Sequence, residues 1–158
     1  MLEQTTNIII AGLGGQGVLT SANIISYTAF LAGFDVKESE VHGMSQRGGS
    51  VSSDVRFGQK VYSPMISTKE ADYILLLSDT ESERMASFLR PNTGMILCSS
   101  SIDSKSLPIP AVLNTALIGM LSKYLKIEKR YWEEAIKKLV PSNYLNENLE
   151  ALTIGMKL

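Results

Sequence analysis

Cysteine is almost missing from this chain of 158 residues: Cys98 is the single one. One thiol can neither close an internal disulfide nor hold an iron–sulfur cluster, which takes several thiolates. Within "GMILCSS" it reads as a small hydrophobe buried at the end of a strand. Histidine is as scarce. His42 is the only one, no second ligand stands at metal-binding spacing from it, and no metal site is expected. Neither sign of charge is in excess: the formal net charge of -1 speaks against a nucleic-acid binder, which would carry a basic surplus. No uncharged apolar run approaches the roughly 20 residues of a membrane span. The opening "MLEQTTN" lacks the basic and apolar regions of a secretory signal, so a soluble, cytoplasmic protein with no membrane partner is expected. Apolar residues at 44% and charged residues at 20% are an ordinary globular balance, and the length suits one domain with a real core.

What is present begins with "IIIAGLGGQG", residues 8–17. Ile8-Ile9-Ile10 is short, β-branched and uncharged, which predicts a buried strand. Gly12, Gly14 and Gly17 satisfy G-x-G-x-x-G, with Gly15 as an extra glycine; such a turn needs positive φ and lets backbone approach a ligand. From Gln16 to Ala32 there is no further glycine or proline after Gly17, which predicts a helix. Strand, glycine turn and helix N-terminus make an anion site of the backbone of Gly14, Gly15 and Gln16, because free N–H groups and the helix dipole point at the loop. The spacing does not say which anion.

Along the chain, Gly33 is placed as a helix C-cap and Phe34–Glu38 as a polar second strand. Residues 50–57, "SVSSDVRF", alternate with a period of two, which predicts a half-exposed strand. Gly58-Gln59 is a candidate hairpin turn into "KVYSP". Asp72–Leu77 reads as a second buried strand. "TESERMASFLR" reads as a helix with Thr80 and Glu83 as a capping box, and Met95–Cys98 as a further strand. "SLPIPAV" should be extended. Residues 113–126, 128–140 and 142–157 read as helices. The alternation predicts an α/β protein, a single Rossmann-like three-layer domain with a mainly parallel sheet.

Residues 40–50, "EVHGMSQRGGS", do not look like core. They carry His42, Arg47 and three glycines between two strands, and a long loop of this kind is functional or mobile more often than not. Beside Gly48-Gly49, Arg47 could reach a carboxylate or phosphate together with bare backbone donors. A nicotinamide enzyme would need an acid about 20 residues past the fingerprint, where Glu38 and Glu40 stand. Its second strand, however, is normally apolar, and "DVKESE" is not. Residue patterns alone leave a phosphate-binding α/β domain with an unusual glycine-arginine loop.

Taken together, "IIIAGLGGQGV" and "EVHGMSQRGGSVSSDVRFG" resemble the gamma-type domain of 2-oxoacid:ferredoxin oxidoreductases, in the branch of the indolepyruvate ferredoxin oxidoreductase beta subunit. The likeness continues through "EADYILLLSDTE", "LNTALIGML" and "NENLEALTIGMK", although the chain is shorter after residue 100 than that family leads one to expect. The resemblance implies residues 1–158 as one such domain. It also implies an enzyme complex that oxidatively decarboxylates a 2-oxoacid, an arylpyruvate such as indolepyruvate in this branch, joins the acyl group to coenzyme A and passes electrons to ferredoxin. Thiamine diphosphate, Mg and iron–sulfur clusters would sit in partner subunits, since this chain has one cysteine and no G-D-G thiamine motif. The chain alone is then an inactive, cofactor-free subunit, with its partner surface free to form a homodimer. On this reading Gly12, Gly14, Gly15, Gln16 and Gly17 hold the phosphates of coenzyme A at the subunit interface. Gln46, Gly48 and Gly49 form an interface loop, with Arg47 facing the catalytic cleft. A free-standing nucleotide-binding module and a non-catalytic assembly module are the alternatives.

Overall fold

A computed structural model describes residues 4–42 and 49–158. The elements are β1 (Thr6–Leu13), α1 (Val18–Leu31), β2 (Asp35–His42), β3 (Ser50–Gly58), β4 (Tyr73–Leu76), α2 (Ser82–Met85), β5 (Met95–Cys98), α3 (Leu113–Ser122), α4 (Lys129–Leu139) and α5 (Leu145–Lys157). The five strands form one sheet in the order β2-β3-β1-β4-β5. β4 and β5 run parallel to β1, but β3 is antiparallel to both β1 and β2. The sheet is therefore mixed, not mainly parallel. The cause is the link from His42 to Ser50: residues 43–49 are too few for a crossover, which takes a dozen or more, so the chain must return antiparallel.

β1 is buried on both faces, as its isoleucines predict. Ile8 and Ile10 pack with Val55, Leu75 and Leu97 against a layer built from α1, α3, α4 and α5, where Trp132 and Leu117 are fully buried. Ile9 and Ala11 face the other way, toward Ile66, Leu76 and Met85. That second layer is thin. It holds α2 and the segment after β3, so the expected three layers are present but uneven.

The thin layer explains two departures. Residues after Gly58 do not form the expected hairpin. They fold over the sheet, with the Val61 amide donating to Asp35 Oδ2 at 2.8 Å and Arg56 Nη1 donating to the Ser63 carbonyl at 2.7 Å. Under this cover β3 is not half-exposed: Ser52 and Asp54, on the face shared with Ile9 and Ala11, are buried, and Asp54 Oδ2 accepts from the Ile66 amide at 3.0 Å. The helix expected at residues 80–90 is broken into α2 flanked by 3-10 turns, and no side chain caps it. Thr80 instead shares a hydrogen bond with Ser78 Oγ. α1 ends as expected: Gly33 takes φ +95, its amide bonds the Phe30 carbonyl, and the Phe34 amide bonds the Ala29 carbonyl. α3 stops at Ser122, and Cys98 closes β5 half-buried rather than buried.

Candidate functional site

The glycine turn lies where β1 and β4 both end at their carboxyl termini, the edge of an open α/β sheet where ligands collect. Its shape follows from the sequence. Gly12 carries no Cβ because one would meet Gln16 Oε1 at 2.8 Å and Leu77 Cβ at 3.0 Å. Gln16 folds back so that its Oε1 accepts from the Leu13 amide at 2.7 Å. Gly15 and Gly17 take φ +89 and +87, which L side chains adopt at a cost. A Cβ at Gly17 would meet Asn114 Nδ2 at 2.7 Å, whereas a Cβ at Gly15 would meet nothing within 4 Å.

Two amides expected to face a ligand are engaged inside the protein. Gly14 donates to the Gly49 carbonyl at 2.9 Å and Gln16 to the Leu13 carbonyl at 3.1 Å. The remaining donors are Gly15 and the first turn of α1. That turn has no side-chain cap, and its first helical bond runs from the Ser21 amide to the Gly17 carbonyl. It opens on a cleft of about 430 Å³ whose far wall is the start of α3 and the start of α5, with Asn114, Tyr144 and Asn148 in the lining. Asn114 is buried and donates from Nδ2 to Ser21 Oγ at 3.3 Å, joining the two helix starts. No charged side chain lines this cleft among the described residues. What it offers a ligand, among the described residues, is free backbone amides and neutral polar side chains.

Of the sequence-predicted residues, the structure brings Gly12, Gly14, Gly15, Gln16, Gly17 and Gly49 together. Gln46, Arg47 and Gly48 lie outside the described residues. His42 ends β2 opposite Val51. Glu38 and Glu40 are also on β2, which β3 separates from β1, so the acid of a nicotinamide site does not stand beside the glycine turn. Burial and the nearby Asp79 push the Cys98 thiol up, making it a poor thiolate nucleophile. A larger hollow of about 680 Å³ at the other end of the sheet contains Asp72 and Arg90, already paired at 2.8 Å. Among the described residues no three metal-ligating side chains cluster. Among the lining residues that residue patterns missed are Asn114, Leu77 and Asn148. The apolar helix led by Asn114 is visible in the sequence, but nothing local places it against Gly17.

The model of the pyruvate ferredoxin/flavodoxin oxidoreductase family matches residues 7–112, and the chain belongs to that family. It is 31% identical, over 96% of its length and 94% of the relative's, to the indolepyruvate oxidoreductase subunit IorB of Thermococcus kodakarensis. Its fold is shared with the gamma subunit of a keto/oxoacid ferredoxin oxidoreductase from Geobacter sulfurreducens. That likeness has a TM-score of 0.79 at 19% identity and covers 98% of this chain and 95% of that one. A 2-oxoglutarate:ferredoxin oxidoreductase from Magnetococcus marinus, solved with 2-oxoglutarate, coenzyme A and succinyl-CoA bound, contains the same fold (TM-score 0.80, 20% identity). Its likeness covers 98% of this chain and 31% of that one. The match extends past residue 112, so α3, α4 and α5 belong to the shared fold.

Proposed function

We propose that the chain is the small subunit of a 2-oxoacid:ferredoxin oxidoreductase, acting as one gamma-type domain over residues 1–158, with an arylpyruvate such as indolepyruvate as the oxoacid. In this reading thiamine diphosphate with its Mg ion and the iron–sulfur clusters belong to partner subunits and supply the decarboxylation chemistry and the electron path to ferredoxin. One cysteine cannot serve a cluster here. This chain's part is to bind and orient coenzyme A as a substrate.

The observation that carries the reading is the uncapped first turn of α1 opening on the uncharged cleft. A pyrophosphate there accepts from the Gly15 amide and the α1 amides, while Gly12, Gly14, Gln16 and Gly17 shape the turn. Each charge-assisted bond contributes about 1.5–3 kcal/mol. The cation the cleft lacks is assigned to Arg47, carried on the loop of Gln46, Gly48 and Gly49. The isolated chain is then colourless, inactive with any 2-oxoacid and weak toward coenzyme A, whether it is monomeric or paired with itself.

Gly15→Val tests this in the assembled complex. Its side chain enters open space, so beyond the left-handed strain of φ +89 it obstructs the ligand rather than the core. The KM for coenzyme A should rise about tenfold or more, with the dependence on 2-oxoacid unchanged. An assembled mutant with an unaltered coenzyme A dependence would leave the turn as architecture.

A further inference from the structure

Glu81 is a carboxylate buried at the ligand edge of the sheet that the proposed binding reaction does not use. Its side chain is 4% exposed. Glu81 Oε1 accepts from Ser50 Oγ at 2.6 Å, and Oε2 accepts from Arg84 Nε at 2.6 Å. Burying a carboxylate is costly unless it is paired and hydrogen-bonded, and here both oxygens are engaged. Ser50 is the first residue of β3, opposite Leu13, the last residue of β1. One step further out, Gly49 takes the Gly14 amide. The chain Arg84–Glu81–Ser50 thus ends next to the contact that joins the two glycine-rich motifs.

We infer that Glu81 is a positioning residue for the coenzyme A site: through Ser50 it holds Gly49 against Gly14 and so fixes the turn that presents the Gly15 amide. This rests on the proposed function above. Glu81 touches no ligand itself. It replaces what would be a frayed strand start, beside a turn rich in glycine, with a fixed one. The serine that ends "QRGGS" then has a defined task as the hydroxyl that reaches a buried carboxylate.

Two variants and two measurements test it. Ser50→Ala removes the hydroxyl and leaves the Glu81–Arg84 pair; Glu81→Gln keeps the shape and removes the charge. In the full chain, amide hydrogen exchange at Gly14 should accelerate about tenfold in both, as expected for losing a hydrogen bond to a charged group. Exchange at the β4 amides should stay unchanged. In the assembled complex the KM for coenzyme A should rise several-fold, while kcat and the KM for the 2-oxoacid hold, a split that general destabilisation does not produce. If Glu81→Gln fails to fold, Ser50→Ala carries the test. Unchanged Gly14 exchange in folded Ser50→Ala would overturn the inference. Faster Gly14 exchange with an unmoved coenzyme A dependence would uphold Glu81 as a positioning residue and overturn the coenzyme A reading instead.

Discussion

Gly14 gives its amide to the carbonyl of Gly49 at 2.9 Å, extending the β1–β3 ladder one step past the Leu13–Ser50 pair. Two motifs that are far apart in the chain therefore form one piece of backbone. The antiparallel β3 makes this contact. In a sheet with β2 next to β1, as in a dinucleotide-binding domain, the loop after β2 would not return alongside the glycine turn. The same strand order moves Glu38 and Glu40 one strand away from the turn, so the fold favours an anion site over a ribose clamp.

Gly15 and Gly17 have nearly the same φ but different surroundings, and substitutions should separate them. Gly15→Ala carries only the left-handed strain, about 1–2 kcal/mol. Gly17→Ala carries the same strain and also drives a methyl into the Asn114 amide, 2.7 Å from the ideal Cβ position. Urea unfolding of the two variants should therefore place Gly17→Ala below Gly15→Ala by about 1 kcal/mol or more. Equal losses would mean that Asn114 yields freely.

Asn114 offers a test that sets stability against binding. Asn114→Asp puts a carboxylate in the first turn of α3 and beside the first turn of α1. Burying an unpaired carboxylate outweighs the favourable helix-end charge, so unfolding free energy at neutral pH should fall by about 1 kcal/mol or more. A phosphate entering the cleft would now meet a like charge, and the KM for coenzyme A in the complex should rise about tenfold or more. An unchanged KM would remove Asn114 from the ligand's neighbourhood.

α3 and α5 meet through glycines. A Cβ on Gly155 would run into the backbone carbonyl of Ala116, and one on Gly119 into that of Leu152. Backbone cannot rotate aside as a side chain can. Gly155→Ala should therefore cost about 3 kcal/mol or more by denaturant unfolding. It should also disturb the cleft, whose wall includes Asn148 on α5, held by Thr115 Oγ1 at 2.6 Å.

Local chemistry carried much of this in the residues themselves. Three consecutive isoleucines and a glycine turn specify β1, the turn and α1, and Gly33 ends α1 with the expected left-handed geometry. Strand order was not legible, because it depends on where β3 docks, and no residue in "SVSSDVRF" encodes its neighbour. Asp54 read as solvent-facing because Ile66, whose amide it accepts, belongs to a different segment. The capping box failed because Thr80 pairs with Ser78 Oγ, and Glu81 ties the segment to Ser50 and Arg84 instead of to a helix end. In the site, the glycines were visible from spacing alone. Asn114 and Asn148 were not, since the contacts that bring them to Gly17 span most of the chain.

Asp54 supplies a pH test of the thin layer. Burial raises its carboxyl above the ordinary 3.8; the hydrogen bond from the Ile66 amide and the charge of Arg56 oppose the rise without cancelling it. A carboxyl raised on folding stabilises the native state fully below its unfolded pKa. That contribution is lost as the pH climbs through the folded value, so by neutral pH the buried charge has become a cost. Asp54→Asn keeps an oxygen to accept from Ile66 and can never ionise. Its unfolding free energy relative to the parent should therefore improve as the pH rises from about 3 to 7, in the window above the unfolded carboxyl value. Denaturant midpoints of both proteins across that range check it. A difference that stays flat with pH would mean that Asp54 is hydrated beneath residues 59–66, and that the cover over this face of the sheet is not closed.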